Sequence, residues 1–358
     1  MSSFLLLDVG AGTLDILFYD ENAGQHYKAV VRSPVLCVAE QAQNMAGDLL
    51  VTGVEMGVGS LLEVLSQHAR KAGVIVSASA AMTLSHNPER LRSAGLTIVD
   101  DLEAEKSGGS KEFARLFLSD LPRERLESIV SGFGVPFQFD VVGVCAQDHG
   151  VSPEGKSHLD FRHEIMKAAL EQKPSPETLL YERRNVPSYL NRLKSAADTA
   201  SGLPCREVYV MDSGMAAILG ACMDFQLRGK KRFIVLDVAT SHTVCAAIEG
   251  GEIAGIVEYH TRDLNLAKLE SLLVDLAEGR LVHKRVLAEG GHGAYVRKAL
   301  GFDAVELIVA TGPKRRLVEN SKLPIVYGAP LGDNMMTGTT GLLEAIRRRK
   351  ALEFSLYL

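Results

Sequence analysis

Apolar and polar positions follow two rhythms along the chain. Short runs rich in Val, Ile and Leu predict strands over residues 4–7, 14–19, 27–31, 74–77, 139–146, 207–211, 232–237, 243–248, 253–259 and 307–310. Between them, apolar residues recur at helical spacing and predict helices over 61–71, 123–130, 164–171, 186–197, 215–225, 264–277 and 333–349. Strands alternating with helices predict an α/β architecture. Two stretches break the rhythm: residues 101–127 and 150–185 are richer in charge, Ser and Pro, with "SGGS" at 107–110 and "KPSPE" at 173–177. They are expected to be surface insertions or linkers.

One pattern occurs twice. "LLLDVGAGTLDILFYDENAG" from Leu5 lines up with "IVLDVATSHTVCAAIEGGEI" from Ile234: three apolar residues, Asp-Val, a small or polar turn, a second strand and a Gly-containing turn. Two such units far apart in one chain predict a duplicated fold whose halves face one another. In the first copy, Gly10 and Gly12 let the backbone come close to a ligand, and successive N–H groups can form an anion-binding concavity. Thr13 adds a hydroxyl, and Asp8 is placed to hold a hydrated Mg²⁺ beside phosphates. A hairpin whose glycines only satisfy turn geometry is the alternative.

Composition narrows the function. With 358 residues and 46% hydrophobic content the chain can bury the cores of two domains. The 39 basic and 44 acidic residues leave a net charge of −5, and the basic ones are scattered, which disfavours nucleic-acid binding. No apolar run approaches the ~20 residues that span a bilayer, and the N-terminus lacks a basic segment and a cleavage site, so a cytoplasmic protein is expected. Cys37, Cys145, Cys205, Cys222 and Cys245 are odd in number and far apart, which predicts buried reduced thiols.

The histidines are less evenly spread. "CAQDHG" at 145–150 follows an apolar strand, "SHT" at 241–243 occupies the second turn, "EYHT" at 258–261 ends a strand, and "EGGHG" at 289–293 is expected to open a helix. Strand ends and helix starts are where ligand sites of α/β folds collect. His149, His242, His260 and His292 could therefore bind a divalent transition metal or move protons, with Asp148 and Glu258 as ligating or orienting carboxylates. Structural, hydrogen-bonded histidines are the alternative, and His68 and His158 are read that way.

The order of the segments carries a resemblance. "DVGAGT" and "IVLDVATSHTV" resemble the two phosphate motifs of the actin, Hsp70 and sugar-kinase superfamily of ATPases, and "VYVMDSGMAAILGACMD" at 208–224 resembles its connecting helix. "VELIVATGPKRRL" at 305–317 resembles the adenosine motif, and "VYGAPLGDNMMTGTTGLLEAI" at 326–346 the closing helix. The resemblance implies duplicated ribonuclease-H-like (actin-like ATPase) domains facing a central cleft. The first would span 1–205 with insertions and the second 206–358. ATP or another nucleotide with Mg would be held by Asp8, Gly10, Gly12, Thr13, Asp237, Thr240, Ser241, His242, Thr243, Thr311 and Gly312. Two departures stand out. Ala239, Thr240 and Ser241 replace the Gly-rich second turn, and Pro313 replaces the second Gly of the adenosine motif, removing a donor.

Over nearly its full length, through "VTGVEMGVGSL", "VCAQDHG", "MDSGMAAILGA", "SHTVCAAI", "EYHT" and "GGHGAYV", the chain also resembles a prokaryotic family labelled as pyruvate formate-lyase activating enzymes. A glycyl-radical activase needs a Cys-x-x-x-Cys-x-x-Cys set for its iron–sulfur centre, whereas Cys205 and Cys222, the nearest pair here, are 17 positions apart. Radical activase chemistry is not expected. Three readings follow. The first is an ATPase or phosphotransferase on a small phosphate ligand, with Mg at Asp8 and Asp237 and with Asp148 or Asp212 polarising the attacking group. The second is a metal-dependent or acid–base enzyme with Asp148, His149 and the other cleft histidines at its centre. The third is a non-catalytic regulatory protein. No oligomeric state is assigned.

Overall fold

The computed structural model describes residues 2–108 and 113–353, so Gly109 and Ser110 of the "SGGS" stretch lie outside the described residues. Strands β1 (Ser3–Val9), β2 (Thr13–Asp20) and β3 (Gln25–Arg32) form an antiparallel meander. Apart from Asp8, β1 is apolar from Phe4 onward because both of its faces are covered. Phe4 and Leu6 enter one core cluster, and Leu5, Leu7 and Val9 enter another. A continuous run rather than an alternation is what such a strand requires.

The chain then leaves the meander for a small inserted unit. Strands β4 (Leu49–Gly53), β5 (Val74–Ser77), β6 (Thr97–Val99) and β7 (Ala114–Leu118) make a parallel sheet in the order β6-β5-β4-β7. Its own core contains Leu49, Val51, Leu61, Leu65, Val76 and Leu116. Only β5 is predicted by the apolar pattern. The expected linker at 101–127 instead holds helix Asp101–Ser107, strand β7 and the start of helix Arg123–Gly132. At the sheet edge, β7 exposes Arg115 and Phe117 between buried Leu116 and Leu118, and that half-polar alternation is easily read as loop.

Strand β8 (Phe139–Ala146) returns beside β1 in parallel, followed by β9 (Leu180–Glu182) and β10 (Cys205–Asp212), completing a sheet ordered β3-β2-β1-β8-β10-β9. Between β8 and β9 lies helix His158–Gln172, longer than the predicted 164–171 because the Ser157 hydroxyl accepts from Leu159 N at 3.2 Å and caps an earlier start. The expected helix at 186–197 begins later, as Asn191–Ala200, since Pro187 holds its predecessor out of helical geometry. Strand β10 pairs with β8 from Cys205 to Asp212, so the chain crosses to the second half after Asp212 and not at the expected 205/206 boundary.

The second half repeats the plan. Strands β11 (Arg232–Val238), β12 (His242–Glu249), β13 (Glu252–His260), β14 (Gly293–Val296), β15 (Leu307–Thr311) and β16 (Ile325–Tyr327) are ordered β14-β13-β12-β11-β15-β16. In both sheets a meander of three strands is extended by two parallel strands on the side of its first member, β8 and β10 in one and β15 and β16 in the other, with antiparallel β9 and β14 as the additions peculiar to each. That shared order is the duplicated ribonuclease-H-like fold.

Helices Ser213–Cys222 and Thr337–Arg349 lie between the sheets, and one core cluster joins Leu6 and Val141 of the first sheet to Val235 and Val309 of the second through Ile218, Leu342 and Ile346. The helices cross in backbone contact. A methyl group added at Gly220 would overlap the Thr337 carbonyl, and one at Gly341 would overlap that of Ala216. Among the described residues, no helix is long and apolar enough to cross a membrane.

Candidate metal centre

The two hairpin turns match bond for bond. In the first, Gly10 N donates to Thr13 O at 3.0 Å, Ser33 N to Gly12 O at 3.1 Å and the Ser33 hydroxyl to Gly10 O at 2.6 Å. In the second, Ala239 N donates to His242 O at 3.1 Å, Thr261 N to Ser241 O at 2.8 Å and the Thr261 hydroxyl to Ala239 O at 2.8 Å. His242 thus stands where the first half has Thr13. The Thr243 hydroxyl is turned inward onto Thr261 at 3.0 Å. The turns also touch: a methyl at Gly12 would lie 2.9 Å from Thr240 Oγ1.

Beneath the turns, Asp8 and Asp237 occupy the same position in β1 and β11. Asp8 Oδ1 accepts from the Ser213 hydroxyl at 2.9 Å, and Asp237 Oδ1 from the Thr311 hydroxyl at 2.8 Å. Burial pushes the Asp8 carboxyl up to about 7 and that of Asp237 up to about 6. The start of helix Thr337–Arg349 lies directly on Asp8, because Gly338 has no side chain to keep it away. Gly312, at φ +85°, packs its backbone on Val238 O and Asp237 Oδ1. Asp15, the cross-strand neighbour of Asp8, was not singled out by sequence. Burial and the Asp8 charge raise it to about 8, and its buried Oδ1 has no hydrogen-bond partner.

The strongest convergence is of imidazoles. His242 opens β12 directly opposite His260, which ends β13, and His292 N donates to Glu258 O at 2.8 Å, pinning the third ring beside them. One ring nitrogen of each lies within 4.8 Å of the others. His292 Nε2 and His260 Nε2 are 3.1 Å apart, and the ring centroids are separated by 4.7, 4.6 and 4.3 Å. His242 Nε2 and His292 Nδ1 are buried without hydrogen-bond partners, although Nδ1 lies 3.5 Å from Glu258 Oε1 at ion-pair distance. Burial lowers His242 to about 4 and lowers His260 as well, so both are neutral near pH 7, while the Nε2 atoms of His260 and His292 share a hydrogen bond that a bound ion would replace. The "EGGHG" segment does not open a helix. It follows helix His283–Ala288 and leads into β14, since Gly290 and Gly293 adopt positive φ that ends helical geometry.

From the first half, His149 faces this cluster at ring distances of 5.7 Å to His292 and 6.5 Å to His242, and burial holds it well below the ordinary histidine range. His158, read as structural, lies 5.5 Å from His149. Asp148 turns away. Its Oδ1 accepts from Gly150 N at 2.8 Å and its Oδ2 from Leu193 N at 3.0 Å, so it braces the loop that carries His149. Asp212 caps helix Ser213–Cys222 by accepting from Met215 N at 3.1 Å and takes Arg162 Nη1 on its other oxygen at 2.7 Å.

Arg162 was missed in the sequence, where it is one charge among many in a polar helix. It also reaches Asp148 O at 2.9 Å and Glu258 Oε2 at 3.3 Å, while the Gln147 amide donates to Glu258 Oε1. Burial alone would raise Glu258, but Arg162 and the neighbouring imidazoles hold its carboxyl far below the usual range. A carboxylate of the second half is thereby gripped by two side chains of the first. Asp8 and Asp237 join no comparable three-ligand cluster among the described residues.

A family model described as "Putative pyruvate format-lyase activating enzyme (DUF1786)" matches residues 56–317. The chain belongs to this family. The matched span contains His149, Arg162, His242, His260 and His292, while the first hairpin and the closing helix lie outside it. No curated protein matches the chain. Among solved structures it is similar to an inorganic polyphosphate/ATP-glucomannokinase from Arthrobacter sp. strain KM, with 15% identity over 97% of this chain and 100% of that one and a TM-score of 0.37. It is also similar to an activator of 2-hydroxyisocaproyl-CoA dehydratase from Clostridium difficile, with 8% identity over 99% of each chain and a TM-score of 0.35. A Bacteroides thetaiotaomicron protein with an actin-like ATPase fold shows 8% identity over 94% of this chain and 95% of that one, with a TM-score of 0.37.

Proposed function

We propose that this family member is a metal-dependent enzyme whose ion sits on His242, His260 and His292 in the cleft, next to turns that receive a small phosphate-bearing ligand. The convergence of three imidazole nitrogens within 4.8 Å carries the reading. Neutral imidazoles suit Zn, Fe, Co, Ni and Cu, and centroid separations of 4.3–4.7 Å correspond to ligands near right angles, which favours an octahedral ion with open positions. A bound ion would polarise a phosphoryl oxygen or lower the pKa of a bound water. Iron–sulfur activase chemistry has no place in this reading, because the five cysteines are scattered over separate elements.

The test is elemental analysis of the tag-free full chain after reconstitution with Mn²⁺, Fe²⁺, Co²⁺, Ni²⁺ or Zn²⁺. About one tightly held ion per chain is expected, and His242→Thr, which copies the first turn, should lose it while keeping its fold by circular dichroism. Substoichiometric metal in the wild type with every ion overturns the proposal.

A second reading is favoured by the matched positions of Asp8 and Asp237. It is an ATPase or phosphotransferase with Mg²⁺ held through water by these carboxylates and the base and ribose near Thr311 and Gly312. Since Gly12 and Thr240 are in contact, the halves must open to admit phosphates between them. Millimolar MgATP, MgADP or MgGTP should raise Tm by mass action, and the absence of any shift would remove this reading. A chain that held neither metal nor nucleotide would be left with a non-catalytic regulatory role.

A further inference from the structure

The three nitrogens of the proposed centre all come from the second half, on β12, on β13 and just before β14. The first half presents one more imidazole toward them, His149. An imidazole bound to a transition ion puts its ring centroid about 3.2 Å from the ion, so rings at right angles lie about 4.5 Å apart, at tetrahedral angles about 5.2 Å, and opposite one another about 6.4 Å. The three rings of the second half, at 4.3–4.7 Å, already meet that condition. His149, at 6.5 Å from His242, stands at the separation of an opposite ligand, and at 5.7 Å from His292 it is about 1 Å too far for an adjacent one.

Little in its own loop can make up that distance. Asp148 ties the loop to Gly150 N and Leu193 N, and Gly150, at φ +73°, packs against Phe161. Arg192 holds the Gln147 carbonyl at 2.9 Å. The backbone at His149 is therefore fixed in the first half, and any approach of that backbone to the cluster carries the first half with it. The two halves are already linked beside it, where Gln147 and Arg162 of the first half grip Glu258 of the second, and Glu258 lies 3.5 Å from His292 Nδ1. Among the described residues, no hydrogen bond occupies a His149 ring nitrogen. We infer that the bound ion recruits His149 as a fourth protein ligand across the cleft, so that metal binding and closure of the two halves are one equilibrium. The inference rests on the three-histidine centre proposed above and adds its regulation: the ion acts as a clasp between halves as well as a reagent.

Co²⁺ titration of the metal-free, tag-free full chain tests it, with affinity and coordination read from the visible absorption band and closure read from small-angle scattering and hydrogen exchange. The wild type should bind one ion, become more compact and gain protection in residues 10–13 and 147–150. His149→Ala should still bind one ion, but roughly 10–100-fold more weakly, with an altered band and without compaction. His149→Asn, closer in size and polarity, guards against a folding defect and should behave alike. If the His149 variants match the wild type in affinity, spectrum and compaction, the clasp is overturned while the three-histidine centre stands. If the wild type binds no Co²⁺ and His260→Ala behaves identically, the centre itself falls and the clasp with it.

Discussion

In the first half the turn is built from Gly10, Gly12 and Thr13 and braced by Ser33, and in the second from Ala239, Ser241 and His242 and braced by Thr261. The hydrogen bonds coincide, and only the groups that face the cleft differ. A backbone frame held by its own N–H and C=O groups and by one hydroxyl tolerates such exchange, because none of the bracing bonds depends on the residues exchanged. One frame keeps the bare, close-approach surface of a phosphate turn. The other offers a nitrogen ligand at the same point. The beds beneath differ as well: Asp15 of β2 corresponds to Val244 of β12, so the first half buries one carboxylate more.

The largest effect is expected from Arg162→Ala, which leaves Asp212 and Glu258 buried without their shared cation. A loss of about 3–5 kcal/mol in urea unfolding is expected, against little change for Arg262→Ala at an exposed site. Next comes Asp15→Val, which copies the second half. Because Asp15 is raised from 3.8 to about 8 in the folded chain, the native state keeps a proton that the unfolded chain releases, and stability falls as pH rises between about 4 and 8. The variant should lose that part of the slope and be more stable than the wild type at pH 8; an unchanged pH profile would remove the carboxylate from the account. A smaller effect follows from Gly12→Ala, whose methyl group meets Thr240 and should cost about 1–3 kcal/mol. Thr240→Ala should relieve most of it in a double-mutant cycle. Smallest is Ser33→Ala, expected to cost about 1 kcal/mol in urea unfolding, with Thr261→Val costing somewhat more because the buried Thr243 hydroxyl loses its partner as well.

The duplicated hairpins, the matched positions of Asp8 and Asp237 and the placement of His242 and His260 at a turn and a strand end were legible because they are local patterns of type and spacing, whereas His292, expected to open a helix, reaches them from the turn before β14. What escaped depends on partners distant in the chain. Arg162 acquires its role only when β10 and β13 bring Asp212 and Glu258 to it, and Asp15 is unusual only because it is buried opposite Asp8. The inserted sheet was largely hidden for another reason: β4 has only three apolar residues before Thr52 and Gly53, β6 has three residues in all, and β7 alternates polar and apolar at an edge. The affiliation of β10 was likewise a matter of ladder pairing, which no composition shift at 205 announces.

The glycine crossing of the two central helices has a mechanical consequence. With Gly220 and Gly341 bringing backbone against backbone, there is no interlocking side chain at that point to be sheared and no slack to be taken up. Sliding the helices apart would tear open the core that both sheets share, whereas twisting them about the contact leaves it covered. On the closure proposed above, the crossing would serve as the bearing: a small rotation at the backbone contact would carry His149 toward the three imidazoles without uncovering the shared core.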